Sequence, residues 1–162
     1  MQLTFNFENI NLGPNNKLPE IKITINSATI YVGAVTENIT LDQISTLDNN
    51  LLEIVFLNKE HSDTVCNQSG DIINDMNFSL TKIIIDNNDL EELIWQGQYC
   101  SLNNDVYPSC LFFGPPGRFK LLFDYPILRW ILKVRNELNQ NDPNWEEDYN
   151  YYITACKILN SL

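Results

Sequence analysis

The chain has 162 residues, 44% hydrophobic and 19% charged, which is long enough to bury a core in one domain and excludes a disordered polymer. Net charge is −11 and unevenly placed: residues 1–117 hold 4 lysines and no arginine against 15 acids, while residues 118–162 balance 6 against 6. The acidic part repels nucleic acid and anionic lipid, so neither is expected as a partner.

The N-terminal run Met1 to Phe7 is strand-like and lacks the basic start and long apolar run of a signal peptide, so no export signal is expected. No run reaches the ~18 apolar residues that a membrane-crossing helix needs. From there the chain alternates with period two. Leu3, Phe5 and Phe7 share a side, followed by Ile21, Ile23 and Ile25, Ile30 and Val32, then Leu52, Ile54 and Phe56. Phe78, Leu80 and the Ile83–Ile85 run come next, then Leu111 and Phe113, then Phe119, Leu121 and Phe123. Alternating β-branched and aromatic residues mark half-buried strands.

The breaks carry turn chemistry. Leu12-Gly13-Pro14-Asn15-Asn16 separates the first two runs, and Asp86-Asn87-Asn88-Asp89 supplies the positive φ of a tight hairpin. Gly114-Pro115-Pro116-Gly117 makes a rigid link between two strands. About eight strands at this spacing predict a mainly β fold, an antiparallel sandwich or jelly roll.

The period changes after residue 125, which sets the expected boundary between a sandwich over 1–125 and a helical segment over 126–162 in a single domain. Ile127, Ile131, Val134 and Leu138 lie at helical spacing behind Pro126. A second helix is expected from Asp142-Pro143, with Asp142 as N-cap and Trp145, Tyr149, Tyr152, Ile153, Cys156 and Leu159 on one face. The four cysteines at 66, 100, 110 and 156 show no metal-ligand spacing and are expected to be free, buried thiols.

Catalytic signals are absent. His61 is the only histidine and sits in a loop; there is no Gly-x-Ser-x-Gly elbow, no phosphate-binding glycine loop, and no acid in an apolar setting. The chain is expected not to be an enzyme. Three groups remain as candidate sites, each beside a plainer reading. Asn58, Asp63, Asp71 and Asp75 supply oxygen ligands of the kind calcium takes, and equally are residues that turns select for backbone reasons. Trp95 and Tyr99, on a strand-like run ending in a polar loop, are rings on which a sugar can stack, or core residues. Arg118, Arg129, Lys133 and Arg135 form a basic cluster that would dock on an acidic surface of another subunit, or a solvated helix face.

The string from Leu51 to Lys59, followed by Asp63-Thr64, Gly70-Asp71-Ile72-Ile73 and Leu80 to Asp86, resembles the middle of small β-sandwich domains of the calcium-dependent carbohydrate-binding-module kind. Similar sandwiches occur in tailed-bacteriophage structural proteins, and Phe119 to Pro126 with Trp130 is like their closing strand. The resemblance covers roughly residues 20–130. It implies a non-catalytic sandwich: a virion component, capsid-decorating or tail-associated, assembling as a homo-oligomer or with other subunits in the host cytoplasm before joining the virion. The alternative it implies is a glycan-binding module with calcium as cofactor, the metal positions carried over being Asp63, Asp71 and Asp75.

Overall fold

The computed structural model describes residues 1–42, 48–103 and 105–138. In chain order the strands are β1 (Gln2–Asn11), β2 (Glu20–Ile25), β3 (Ala28–Ala34), β4 (Asn38–Asp42), β5 (Asn50–Phe56), β6 (Thr64–Cys66), β7 (Ile72–Asp75), β8 (Asn77–Ile85), β9 (Asn88–Asp89), β10 (Gln98–Ser101), β11 (Val106–Pro108), β12 (Phe112–Phe113) and β13 (Gly117–Phe123), followed by helix α1 (Ile127–Leu138). The six-stranded sheet runs β11-β10-β13-β5-β2-β3. The facing sheet runs β12-β8-β1-β4 with β9 beside β8, and β6-β7 form a separate ribbon. Every pairing among the described strands is antiparallel. The expected sandwich is therefore present, with more strands than the eight expected because several are only two to four residues long.

Period-two alternation turns directly into the core. Leu3, Phe5, Phe7, Ile21, Ile23, Ile25, Leu52, Ile54, Phe56, Phe119, Leu121 and Phe123 are all buried. In β8 the buried set switches from even (Phe78, Leu80) to odd (Ile83, Ile85), and one extra residue is needed to keep both pairs inside. The ladder supplies it: Phe7 pairs with Leu80 and Asn6 with Lys82, so Thr81 is the bulge. A cluster of rings fills one end of the core, with Phe113 stacked on Phe78 at 4.5 Å and Tyr99 edge-on to Phe113 at 5.0 Å.

Val32 departs from the expected inward set, whereas Ile30 is half-buried and packs against the core. Their strand, β3, lies at the edge of its sheet, and Val32 is 60% exposed. Asp86 and Asn87 do take positive φ (47° and 63°) in the two-residue turn between Ile85 and Asn88. Gly114-Pro115-Pro116 crosses from one sheet to the other, since Phe113 pairs with β8 and Gly117 with β10. A Cβ on Gly117 would stand 2.5 Å from the Cys100 carbonyl oxygen, so glycine is required for the two strands to approach.

Helix α1 lays Ile127, Trp130 and Ile131 on the sandwich, and Trp130 meets Phe123 edge-on at 6.5 Å. Leu138, expected on the same face, is 57% exposed. The helix expected after Asp142 lies outside the described residues, as does Cys156. Among the described residues no helix is long and apolar enough to cross a membrane.

Candidate functional site

The loop end of the sandwich, residues 57–77, holds the expected calcium positions. Asp63 is buried, and its Oδ2 accepts hydrogen bonds from the Lys17 ammonium (2.8 Å) and from the Glu60 N–H (2.8 Å). Asp75 accepts from the buried Lys59 ammonium, from the Thr64 hydroxyl and from the Asn77 amide (3.1 Å), and Lys59 also donates to the Met76 carbonyl at 2.8 Å. Burial pushes both carboxyls up. The hydrogen bond from Lys17 on Asp63, and those from Lys59, Thr64 and Asn77 on Asp75, outweigh it and hold both below the ordinary carboxylate range. Asp71 is elsewhere: it is exposed and closes the β6–β7 turn through Asn67, whose side-chain amide donates to it at 3.0 Å. The three aspartates are thus not brought around one point. Two are occupied by lysine ammoniums, which stand where a cation would stand, and among the described residues no three His, Cys, Asp or Glu side chains converge. Asp63 and Asp75 thus form two internal ion pairs, with Lys17 and Lys59.

Trp95 and Tyr99 separate just as sharply. Residues Glu91–Gln96 form a 3-10 helix rather than the expected strand, burying Leu93 and Ile94 and turning Trp95 outward, 50% exposed. Tyr99, on β10, is completely buried, with its hydroxyl donating to the Pro115 carbonyl. Burial pushes its phenol well above the ordinary tyrosine range. Tyr99 is therefore a core residue that ties down the crossing between the sheets, and its ring is closed to any ligand.

Trp95 instead lines a groove of about 680 Å³ along the β8 edge of the five-stranded sheet. Its neighbours there include Phe112, 46% exposed, together with Thr81, Lys82, Asp89 and Ser109. The Ser109 hydroxyl donates to the Trp95 carbonyl at 2.9 Å, fixing the backbone that carries the indole. Lys82 and Asp89 pair at 2.7 Å. Burial raises the Asp89 carboxyl, but the bonds from Lys82 and from the Glu91 N–H (3.0 Å) leave it below its ordinary value. Phe112 escapes a reading by alternation because it sits inside Leu111-Phe112-Phe113. Only one parity of that run can face inward, and Phe113 takes it, so an exposed Phe112 was the available signal.

The basic residues are engaged by acids of their own chain. Arg118 meets Glu53 at 3.6 Å, Lys133 meets Asp124 at 3.7 Å, and Arg135 bridges to Glu91 (2.7 Å) and Glu92 (3.3 Å). Arg129 is exposed and makes no ion pair among the described residues. His61 is exposed in the short turn before β6. Cys66, Cys100 and Cys110 are free as expected but not buried: Cys66 is exposed and the other two are half-buried.

No family model matches the chain, and no curated protein matches it. Two solved structures do. One is vCBM60 in complex with galactobiose, 12% identical, matched over 74% of this chain and 96% of that one with a TM-score of 0.48. The other is a selenomethionine form of vCBM60, from work on circular permutation between two families of calcium-dependent carbohydrate-binding modules, 11% identical over 74% and 87% with the same TM-score. At this distance no residue of either transfers to a position here.

Proposed function

We propose that the protein is a non-catalytic, carbohydrate-binding β-sandwich whose ligand lies in the Trp95–Phe112 groove. The observation that carries this reading is the pair of half-exposed rings on one groove that also presents Thr81, Lys82, Asp89 and Ser109. The C–H faces of a pyranose pack on aromatic rings while its hydroxyls need donors and acceptors beside them, and this groove offers both. A neutral glycan fits best, because a sulfated or uronic chain would approach a protein of net charge −11. Recognition is direct rather than through calcium, in keeping with the lysine pairs on Asp63 and Asp75. Hydrolysis is not part of the reading: glycosidases need two acids free to act on the scissile bond, and the two on this groove are paired, Asp89 with Lys82 and Glu91 with Arg135.

The test is a neutral-glycan array followed by calorimetry on hits, with and without EDTA. Binding that survives EDTA and is lost in Trp95→Ala is the expected result. A wild-type protein that binds no neutral glycan, or a Trp95→Ala variant that binds equally well, removes the reading. A second reading, a structural subunit such as a phage virion component, draws support from the bare edge of β3. It differs in requiring assemblies that form without glycan, which light scattering detects.

A further inference from the structure

Each sheet has two edges, and three of the four are blunted. β11 has three residues and ends in Pro108; β12 and β9, on the β8 side, have two each; β4 carries Asn38, Thr40 and Asp42 outward and ends on a charge. Short strands, proline and edge charges are the devices that stop sheets from pairing with other chains. β3 has none of these three; it carries one bulge, at Ile30, and Tyr31–Ala34 beyond it keep continuous register with β2. Its seven residues, Ala-Thr-Ile-Tyr-Val-Gly-Ala, contain neither a charge nor a proline, in a chain whose net charge is −11.

The register shows which backbone groups this edge presents. Glu20 spends its N–H on Asn58 Oδ1 (2.9 Å) and its C=O on the Leu57 N–H (2.8 Å), both on the β5 side. Its partner Ala34 therefore directs its own groups outward, and so does Val32, two residues away opposite Lys22. The Tyr31 hydroxyl donates to the Ala34 carbonyl at 2.7 Å and satisfies it. What remains among the described residues, in the run that keeps continuous register with β2, is the Ala34 N–H together with the N–H and C=O of Val32, whose side chain is 60% exposed.

We propose that β3 pairs antiparallel with β3 of a second copy about a twofold axis at Val32. The two Val32 residues exchange both backbone hydrogen bonds, and the two six-stranded sheets join into one. A residue opposite itself satisfies an isologous interface by construction. Copies that repel over most of their surface approach without like-charge contact here, because the edge is uncharged. The association surface thus lies on β3 rather than on the basic cluster, whose Arg118, Lys133 and Arg135 already have partners. It does not depend on any glycan.

Sedimentation or light scattering of the full chain over a wide dilution series tests the proposal. A dimer is expected for the wild type and for Val106→Lys, a control on the opposite edge where Val106 is 54% exposed. Val32→Lys, which sets two ammoniums against each other on the axis, is expected to be monomeric with an unchanged circular-dichroism spectrum and melting curve. A wild-type monomer at every concentration overturns the proposal, as does a Val32→Lys dimer as tight as the wild type. Slow amide exchange at Val32 in a monomer also overturns it, since the edge would then be covered from within the chain.

Discussion

The loop end at residues 57–77 and the groove beside β8 begin from similar material: aspartates, lysines, and hydroxyl or amide side chains between apolar runs. They differ in where the charge is spent. At the loop end, Lys17 and Lys59 turn inward onto Asp63 and Asp75 and close the region on itself. At the groove, the Lys82–Asp89 pair lies at the surface, and Trp95 and Phe112 leave an opening between them and the sheet edge. A cluster of acids therefore says little about a site until the cations that answer it are known. Buried, answered charges hold a loop in place, while half-exposed rings beside polar groups leave something to bind.

That contrast can be broken in graded steps. The scale is set by the core both regions rest on: Ile54→Asp puts a carboxylate at a position with no exposed surface, at a cost on the order of the whole stability margin, and is expected to leave no folded protein by circular dichroism. Next comes Asp75→Ala, which strands the buried Lys59 ammonium and is expected to cost about 3 kcal/mol in urea titration; a loss under 1 kcal/mol would mean that the loop end is not closed as described. Acid provides a milder probe. The folded Asp63 and Asp75 carboxyls lie below the unfolded value of 3.8, so their stabilisation is complete above about pH 5 and is lost as pH falls through 4 and below. The melting temperature should drop over that window, and less steeply in Asp75→Ala. At the groove, Trp95→Ala should change stability by about 1 kcal/mol or less while abolishing glycan binding. The smallest effect belongs to calcium, whose addition or chelation should leave the melting temperature unmoved; a rise with calcium concentration would show a folded-state site.

The β elements were legible because alternation carries its own register: Leu3-Phe5-Phe7 and Phe119-Leu121-Phe123 bury as written. β8 shows the limit, since its change of parity is visible in the sequence while the bulge that absorbs it at Thr81 appears only in the ladder. Val32 alternates like its neighbours yet is exposed, because strand order, which depends on pairings remote in sequence, puts β3 at an edge. At the candidate site, Trp95 stands out in the sequence as a ring ahead of a polar loop, while the 3-10 helix that turns it outward carries no periodic signal. Tyr99 failed because a ring four residues away on β10 faces the opposite way, into the core. The ion pairs of Asp63 and Asp75 were not legible because Lys17 is 46 residues from Asp63 and Lys59 is 16 from Asp75, separations over which spacing carries no information.

Phe112 and Phe113 share a peptide bond, one ring in the groove and the other stacked in the core on Phe78. The groove wall therefore inherits the stiffness of the interior. A ligand entering there meets a surface already in its final shape, so association should proceed in a single kinetic phase, without a slow rearrangement after encounter.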